Sequence, residues 1–237
     1  MTAPGLADFD IVTFDCYGTL IDWESGILAA LRQVLGAHGV SAGDDELLER
    51  FARFEAAAEA GPYLPYRQVL ARALRGVCAG PGGGPGFEPS AAETHGFSES
   101  VGDWPAFPDS AAALALLATR FRLGVITNCD TDLFARSSER LGARFDWVIT
   151  AEQLGSYKPN PRNFELALAR IGGPRSRHLH VAQSLFHDHV PAQAMGLTTV
   201  WIDRRHGRPG SGATPPAVAT PDFVFTSMAD FAAAAIR

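Results

Sequence analysis

The sequence predicts an α/β fold in which a mostly parallel β-sheet is covered by helices on both faces. Three observations lead to this prediction. Short runs rich in β-branched and aromatic residues recur along the chain, helical stretches separate most of them, and one long block lacks any strand signal. Strands that alternate with helices need crossover connections, which join parallel strands. The long block predicts a helical cap that is inserted into the α/β core.

The predicted strands are short and buried. The first covers residues 10–15 (DIVTFD) and leads into a turn. Similar runs follow at Arg122–Thr127, 145–149, His178–Ala182 and Thr198–Ile202, with a weaker one at 222–225. Ligands of such Rossmann-like sheets bind outside the carboxyl ends of the strands. We therefore expect the functional site at that edge.

Helix start and stop signals lie between the strands. Asp109 is a predicted N-cap for a helix over 110–120, and Asp130 is a predicted N-cap for the helix after the second strand. Asn160 predicts the start of a further helix, which Gly172 ends.

The block after the first strand has the patterns of several helices. Its predicted helical segments are 24–37, 44–60, 63–79 and a short run from Ser90. A Gly/Pro-rich stretch, GPGGGPGFEP, predicts a flexible loop, because no Gly-Lys-Ser/Thr sequence follows to form a phosphate-binding loop. The predicted domains are an α/β core over 1–21 and 104–237 and a helical cap over 22–103.

The composition excludes several classes of protein. The 237 residues are 46% hydrophobic, which excludes a disordered tail, and no apolar run approaches the roughly 18 residues that span a bilayer. A net charge of -6 without a Lys/Arg block argues against binding to nucleic acid or to an anionic membrane. Three widely spaced cysteines and the absence of a basic, apolar leader predict a reduced, cytoplasmic protein.

Polar residues stand where the predicted strands end. Four strand ends contribute to this set: Asp15, Thr127 with Asn128, Lys158, and Asp188. Any one of them is typical of an ordinary strand end or helix cap. Together they bring two carboxylates, a hydroxyl, an amide and an ammonium group to one edge, which predicts a catalytic site.

These residues lie in four motifs that resemble those of the haloacid dehalogenase-like hydrolase superfamily. In chain order the motifs are FDCYGTL around Asp15, ITN ending at Asn128, KP beginning at Lys158, and AQSLFHD ending at Asp188. The resemblance covers nearly the whole chain, with the helical block matching the family's cap. It implies a hydrolase in which Asp15 attacks the substrate and forms a covalent intermediate that water cleaves.

The resemblance also implies roles for the other residues of the site. Lys158 would favour the ionised form of Asp15, and Asp188 would pair with and orient Lys158. Thr19 would hold the loop and the intermediate, which completes the predicted catalytic set. The predicted substrate-binding residues are Thr127, Asn128, Tyr17, Cys16, Ser184 and Gln183.

Two reaction classes of the superfamily make different demands on these positions. A phosphatase holds Mg²⁺ with carboxylates and usually protonates its leaving group with an acid two residues after the nucleophile. That position is Tyr17 here, and Gln183 replaces an acidic residue expected in the fourth motif. Displacement of halide from carbon needs neither a metal nor a proton. The resemblance to the 2-haloacid dehalogenase branch therefore predicts a dehalogenase without metal or cofactor.

The sequence also departs from the dehalogenase branch. Gln183, Leu185 and Phe164 replace residues that the branch carries, and Arg53 and Arg67 are the candidates for its cap arginine. Two alternatives stay open: a Mg²⁺-dependent small-molecule phosphatase, and a catalytically degenerate member that binds a metabolite. The expected partner is a small carboxylic acid, with no nucleic acid and no membrane; a homodimer is a further expectation from the family.

Overall fold

The computed structural model describes residues 5–80 and 84–237. Residues 81–83, within the predicted Gly/Pro-rich loop, and residues 1–4 of the predicted core lie outside the described residues. In the described chain, no helix is long and apolar enough to cross a membrane.

The described residues form a six-stranded parallel sheet, which confirms the predicted fold class. Its strands are β1 (Ile11–Phe14), β2 (Arg122–Thr127), β3 (Trp147–Thr150), β4 (His178–Ala182), β5 (Thr198–Ile202) and β6 (Phe223–Phe225). Their order across the sheet is β3-β2-β1-β4-β5-β6. The chain leaves β1 toward one edge and later returns to the other side of β1. The crevice at the carboxyl end of β1 is therefore the expected ligand site of this topology.

Helices separate β1 from β2, as predicted. They are α1 (Trp23–Ala37), α2 (Asp44–Glu59), α3 (Tyr66–Cys78) and α4 (Ala91–Glu99). The buried face of α2 includes Leu48 and Phe51, which join a large hydrophobic core with Val69 and Leu70 of α3. The division into a core and a separate cap domain stays a prediction.

Both faces of the sheet are covered because successive residues of each strand point to opposite sides. Val12 and Phe14 of β1 pack in the core that includes α5 (Ser110–Leu117), α6 (Thr131–Leu141) and α10 (Met228–Ala235). Ile11 packs on the opposite face with Phe164 in a second cluster, which is formed by α7 (Ala151–Leu154), α8 (Pro161–Ile171) and α9 (Val190–Ala194).

Asp109 and Asp130 occupy the predicted N-cap positions of α5 and α6, but neither side chain makes a cap hydrogen bond there. Asn160 caps α8 as predicted. The Asp109 side chain makes no cap bond to α5; its carboxylate accepts the N–H of Met228, at the start of α10, over 2.9 Å. The Asp130 carboxylate accepts the N–H of Tyr66, the first residue of α3, over 2.7 Å. Carboxylates favour helix N-termini in general, and here both bind the amides of a helix distant in sequence.

Candidate active site

The loop after β1 holds Asp15 over the carboxyl end of the sheet. The Asp15 N–H donates to the backbone of β4 over 3.0 Å. Gly18 has a left-handed φ of 91°, and a Cβ there would lie 2.9 Å from the Trp23 side chain, so this turn requires glycine. The Thr19 hydroxyl donates to Asp15 Oδ2 over 2.7 Å and accepts the N–H of Gln183 over 2.9 Å.

Lys158 lies at the centre of the polar contacts. Its Nζ donates to Asp15 Oδ1 over 2.9 Å and to Asp188 Oδ1 over 2.7 Å. A third bond, over 2.8 Å, goes to the carbonyl oxygen of Ile126. These acceptors satisfy all three N–H groups of the ammonium, whose side chain is 1% exposed. We call Asp15, Lys158 and Asp188 the floor of the site.

The charges of the floor result from competition between burial and pairing. Burial raises the pKa of Asp15, and the Lys158 ammonium opposes that rise. Burial alone would lower the pKa of Lys158 and raise that of Asp188, but their ion pair outweighs burial in both groups. The pKa of Lys158 therefore lies above its ordinary value and that of Asp188 well below it. Lys158 remains a cation beside an ionised Asp188.

A chain of buried polar groups continues behind Asp188. His180 Nε2 lies 2.9 Å from Asp188 Oδ1, and His180 Nδ1 lies 2.9 Å from the Thr13 hydroxyl. An ionised carboxylate only accepts hydrogen bonds, so we assign a proton to Nε2. Sequence reasoning missed Thr13 and His180, although polar side chains inside predicted buried strands were a usable signal.

Asn128 fixes the backbone of Lys158. Its Oδ1 accepts the Lys158 N–H over 2.8 Å, and its Nδ2 donates to the Lys158 carbonyl over 2.8 Å. The Asn128 Nδ2 also lies 3.2 and 3.3 Å from the two carboxyl oxygens of Glu59. The amide therefore positions Lys158, and its role as a donor to substrate stays a prediction.

The Tyr17 hydroxyl is directed away from Asp15. The ring lines the cavity above Asp15, but the hydroxyl lies 3.0 Å from Ser137 Oγ and accepts a contact from Cys129 Sγ over 3.4 Å. Burial raises the pKa of Tyr17 well above its ordinary value. The phenol is therefore badly placed to protonate a leaving group at Asp15.

Three other predicted substrate-binding residues do not line the cavity above Asp15. Thr127 and Cys16 are buried, and the Thr127 hydroxyl has no hydrogen-bond partner among the described residues. The Gln183 side chain accepts from the Thr214 hydroxyl over 3.3 Å and lines a different cavity. Substrate contact by these three side chains is therefore not supported by their positions.

Two carboxyl groups from α2 lie over the floor. Glu55 Oε1 accepts the Tyr66 hydroxyl over 2.6 Å, and Glu59 accepts from Asn128. Glu55 is 2% exposed, and the side chain of Glu59 is 5% exposed. Sequence reasoning missed this pair, which we call the roof. The available signal was two acids four residues apart on a helix face that also carries Phe51.

The roof resists ionisation. Burial raises the pKa of Glu55 to about 7. Burial and the nearby Glu55 carboxylate raise the pKa of Glu59 well above its ordinary value. Near neutral pH the roof therefore retains at least one proton.

The cavity between floor and roof is small. Its lining residues are Asp15, Tyr17, Trp23, Glu55, Glu59, Tyr66, Asn128, Lys158, Ser184, His187 and Asp188. Its free volume is about 20 Å³, which is enough for roughly one water molecule. Asp188 Oδ2 is buried there without a hydrogen-bond partner among the described residues.

Ser184 and His187 form one wall of this cavity. Ser184 Oγ accepts the His187 N–H over 2.8 Å and lies 3.2 Å from His187 Nδ1. Burial lowers the pKa of His187 to about 4, so the imidazole is neutral at pH 7. Ser184 thus lines the cavity above Asp15, and its contact with a substrate stays a prediction.

Neither candidate cap arginine reaches the cavity. Arg53 is exposed and stacks on the ring of Phe54, with 4.8 Å from its Cζ to the ring centroid. Arg67 pairs with Glu99 and Asp132. Lys158 is thus the one cationic side chain that lines the cavity among the described residues.

The sequence matches a family model and several curated proteins. The model describes a haloacid dehalogenase-like hydrolase and matches residues 9–184. An (S)-2-haloacid dehalogenase of Pseudomonas fluorescens is 29% identical over 82% of this chain and 84% of its own length. The pyrimidine 5'-nucleotidase YjjG of Escherichia coli is 32% identical, but over 46% of this chain and only about half (49%) of its own length.

Solved structures share the fold. L-2-haloacid dehalogenase from Xanthobacter autotrophicus superposes with a TM-score of 0.75 at 21% identity, covering 95% of this chain and 97% of its own. The putative hydrolase YfnB of Bacillus subtilis, solved with magnesium, gives 0.77 at 17% identity, covering 97% of this chain and 99% of its own. At these identities the likeness shows the fold and leaves the reaction open.

Proposed function

The chain belongs to the haloacid dehalogenase-like hydrolase family, and we propose that it removes halide from small 2-halocarboxylic acids through an ester on Asp15. The observation that supports this proposal is the pairing at Asp15. Its carboxylate is bound by Lys158 and Thr19, while the hydroxyl of Tyr17, two residues further on, is turned toward Ser137. The site thus offers a nucleophile without an acid at the position where family phosphatases usually carry one.

The first step is a displacement at carbon. An Asp15 carboxylate oxygen attacks C2 of the substrate, the new C–O bond forms, and the halide leaves with the electron pair of the C–X bond. The leaving halide takes no proton. Attack from the side opposite the halide inverts the configuration at C2.

The second step is hydrolysis of the ester. A water molecule adds to the carboxyl carbon of Asp15, and the C–O bond to Asp15 breaks to release the 2-hydroxy acid. Asp188 lines the cavity, and its Oδ2 is a buried acceptor that lacks a hydrogen-bond partner among the described residues. We assign it to hold this water and receive its proton, which then passes to the product oxygen. The substrate itself needs more space than 20 Å³, so the cavity must widen to admit it.

Magnesium fits the floor poorly. Mg²⁺ prefers several oxygen ligands in octahedral geometry. Asp15 Oδ1 and Asp188 Oδ1 both accept from Lys158, and the Gln183 side chain is directed to Thr214. Across residues 5–80 and 84–237, no group of three or more His, Cys, Asp or Glu residues could hold a metal ion. We therefore propose no step through a metal.

The test compares two substrates. The protein is incubated with 2-chloropropionate plus chelator, and with p-nitrophenyl phosphate plus Mg²⁺, while chloride and phosphate are measured. We expect chloride release in chelator that Asp15→Asn abolishes. Asp10→Asn is the matched control, because this exposed carboxylate lies at the opposite end of β1. Phosphate release that needs Mg²⁺, without chloride release, contradicts the proposal and favours the phosphatase alternative.

A further inference from the structure

The reaction at Asp15 leaves the roof without a role. Glu55 and Glu59 are one helical turn apart on α2, and both line the cavity that contains Asp15. Burying carboxyl groups is unfavourable unless they are paired, and neither makes an ion pair with Lys or Arg in the described residues. Glu55 and Glu59 are therefore candidates for a functional role.

A carboxylate substrate would also find no free cation there. Lys158 uses its three N–H groups on Asp15, Asp188 and a backbone carbonyl. Arg53 and Arg67 lie outside the cavity. Recognition of the substrate carboxylate must therefore come from neutral hydrogen-bond donors.

Glu59 is placed to be such a donor when it is protonated. Its closest polar neighbour is Asn128 Nδ2, which is itself a donor and cannot accept the Glu59 proton. His187 Nε2 lies 3.7 Å from Glu59 Oε2, which is too long for a hydrogen bond. Among these contacts the carboxylic O–H has no acceptor, so it remains free for a ligand.

Glu59 also stands between two spaces. Besides the cavity above Asp15, it lines a neighbouring cavity of about 270 Å³ together with Tyr63 and Phe186. Glu59 therefore borders both the space above Asp15 and this larger space.

We propose that Glu59, as the neutral carboxylic acid, is the specificity-determining residue that donates a hydrogen bond to the carboxylate of the substrate. The substrate class in this proposal rests on the proposed function. Burial of Glu59 and, second to it, like-charge repulsion from Glu55 raise the pKa of Glu59 well above its ordinary value. Once Glu59 loses its proton, the roof repels the same carboxylate. Binding of the acid is therefore expected to weaken as pH rises.

The other titratable groups around Glu59 allow this effect to be isolated. Burial holds the pKa of His187 near 4 and raises that of Tyr66, while the pKa of Asp188 is low and that of Lys158 is high. None of these four changes charge between pH 5.5 and 8.5. Tyr157 and Tyr63, from the neighbouring cavity, have raised pKa values as well. Asp15 and Glu55 remain, and Asp15→Asn together with Glu55→Gln removes both.

The experiment measures ligand binding by calorimetry in a protein that carries Asp15→Asn, which prevents ester formation, and Glu55→Gln, which removes the other titrating carboxyl group of the roof and keeps the acceptor for Tyr66. The ligands are 2-hydroxypropionate and its neutral amide, each at pH 5.5 and pH 8.5. We expect the Kd of the acid to rise about ten-fold or more with pH, because hydrogen bonds to charged groups are worth that much, while the Kd of the amide stays constant. Adding Glu59→Gln should make acid binding independent of pH, since the Gln amide donates at both values.

Adding Glu49→Gln instead is the matched control on an exposed position of α2 and should leave the pH dependence intact. The proposal is overturned if the Kd values of acid and amide depend on pH equally. It is also overturned if the Kd of the acid still depends on pH after Glu59→Gln, or if the acid fails to bind at pH 5.5. Halide release by the unmodified enzyme is scored separately. Binding with the expected pH dependence but no halide release would reject dehalogenation and keep the role of Glu59.

Discussion

The floor and the roof of the cavity differ in how their charges are balanced. In the floor, Lys158 contacts Asp15 and Asp188 within 3 Å, and the low pKa of Asp188 keeps the ion pair across the neutral range. In the roof, Glu55 and Glu59 face each other's charge without a cation, and their pKa values rise toward and above neutral. The floor therefore keeps its charges constant for the proposed reaction at Asp15. The roof changes its charge with pH, as the proposed recognition of the substrate carboxylate requires.

The two regions also differ in how the fold builds them. The floor stands at the ends of neighbouring parallel strands, whose register fixes Asp15 relative to β4. The roof depends on one face of α2 and on its packing against α3, in which Tyr66 contacts Glu55.

Removing the cation of the floor is expected to have the largest effect on stability. Lys158→Met leaves two buried carboxylates unpaired, and we expect a loss of about 3–5 kcal/mol in the free energy of unfolding at pH 8. The loss should be smaller at pH 5, because the unpaired carboxylates take up protons. Urea unfolding at both pH values checks this. Arg122→Met, which removes an exposed ion pair with Asp146, is the control and should cost about 1 kcal/mol or less.

A smaller effect on stability is expected when a titrating carboxyl group of the roof is replaced. The pKa of Glu55 rises in the folded protein to about 7, so its contribution to stability is complete below the unfolded value near 4.5 and is lost as pH rises through 7. Glu55→Gln should therefore stabilise the protein at pH 8 by roughly 1–3 kcal/mol and change little at pH 4.5. Urea unfolding of the exposed control Glu46→Gln should show no such trend. A variant less stable than wild type at pH 8 would contradict a protonated roof.

The smallest effect is expected at Tyr17. Its hydroxyl bonds to Ser137 and is turned from Asp15, so Tyr17→Phe should keep kcat/KM for 2-chloropropionate within about two-fold and cost about 1 kcal/mol of stability. Chloride release and thermal unfolding measure the two quantities. A ten-fold or greater loss of kcat/KM in a fully folded variant would make Tyr17 part of the chemistry and weaken the contrast between floor and roof.

The floor could be predicted from the sequence because its residues follow strands. Buried apolar runs mark where strands end, and parallel strands end together, so the sequence predicts Asp15, Lys158 and Asp188 at one edge of the sheet. The sequence also distinguishes Lys158 in another way. It is the only lysine in the sequence, and all the other Lys/Arg positions are arginine. A compact ammonium suits a site with three separate acceptors better than a planar guanidinium does.

The roof could not be predicted in the same way because it depends on helix rotation. Arg53, one of the predicted cap arginines, is two residues from Glu55 and therefore lies on the opposite side of α2. The helix buries the face that carries Glu55 and exposes Arg53. Asp130 shows the same limit: its sequence position suggested a local cap, whereas tertiary packing placed it on α3.

A covalent ester at Asp15 is the central step of the proposed reaction, and isotope labelling in one turnover tests it directly. Enzyme in excess over 2-chloropropionate is allowed to react in water enriched in ¹⁸O, and both the product and the peptide containing Asp15 are weighed by mass spectrometry. We predict unlabelled 2-hydroxypropionate and one ¹⁸O atom in Asp15, because water attacks the ester carbon and leaves C2 untouched. Product that carries ¹⁸O after one turnover, with Asp15 unlabelled, would contradict the account.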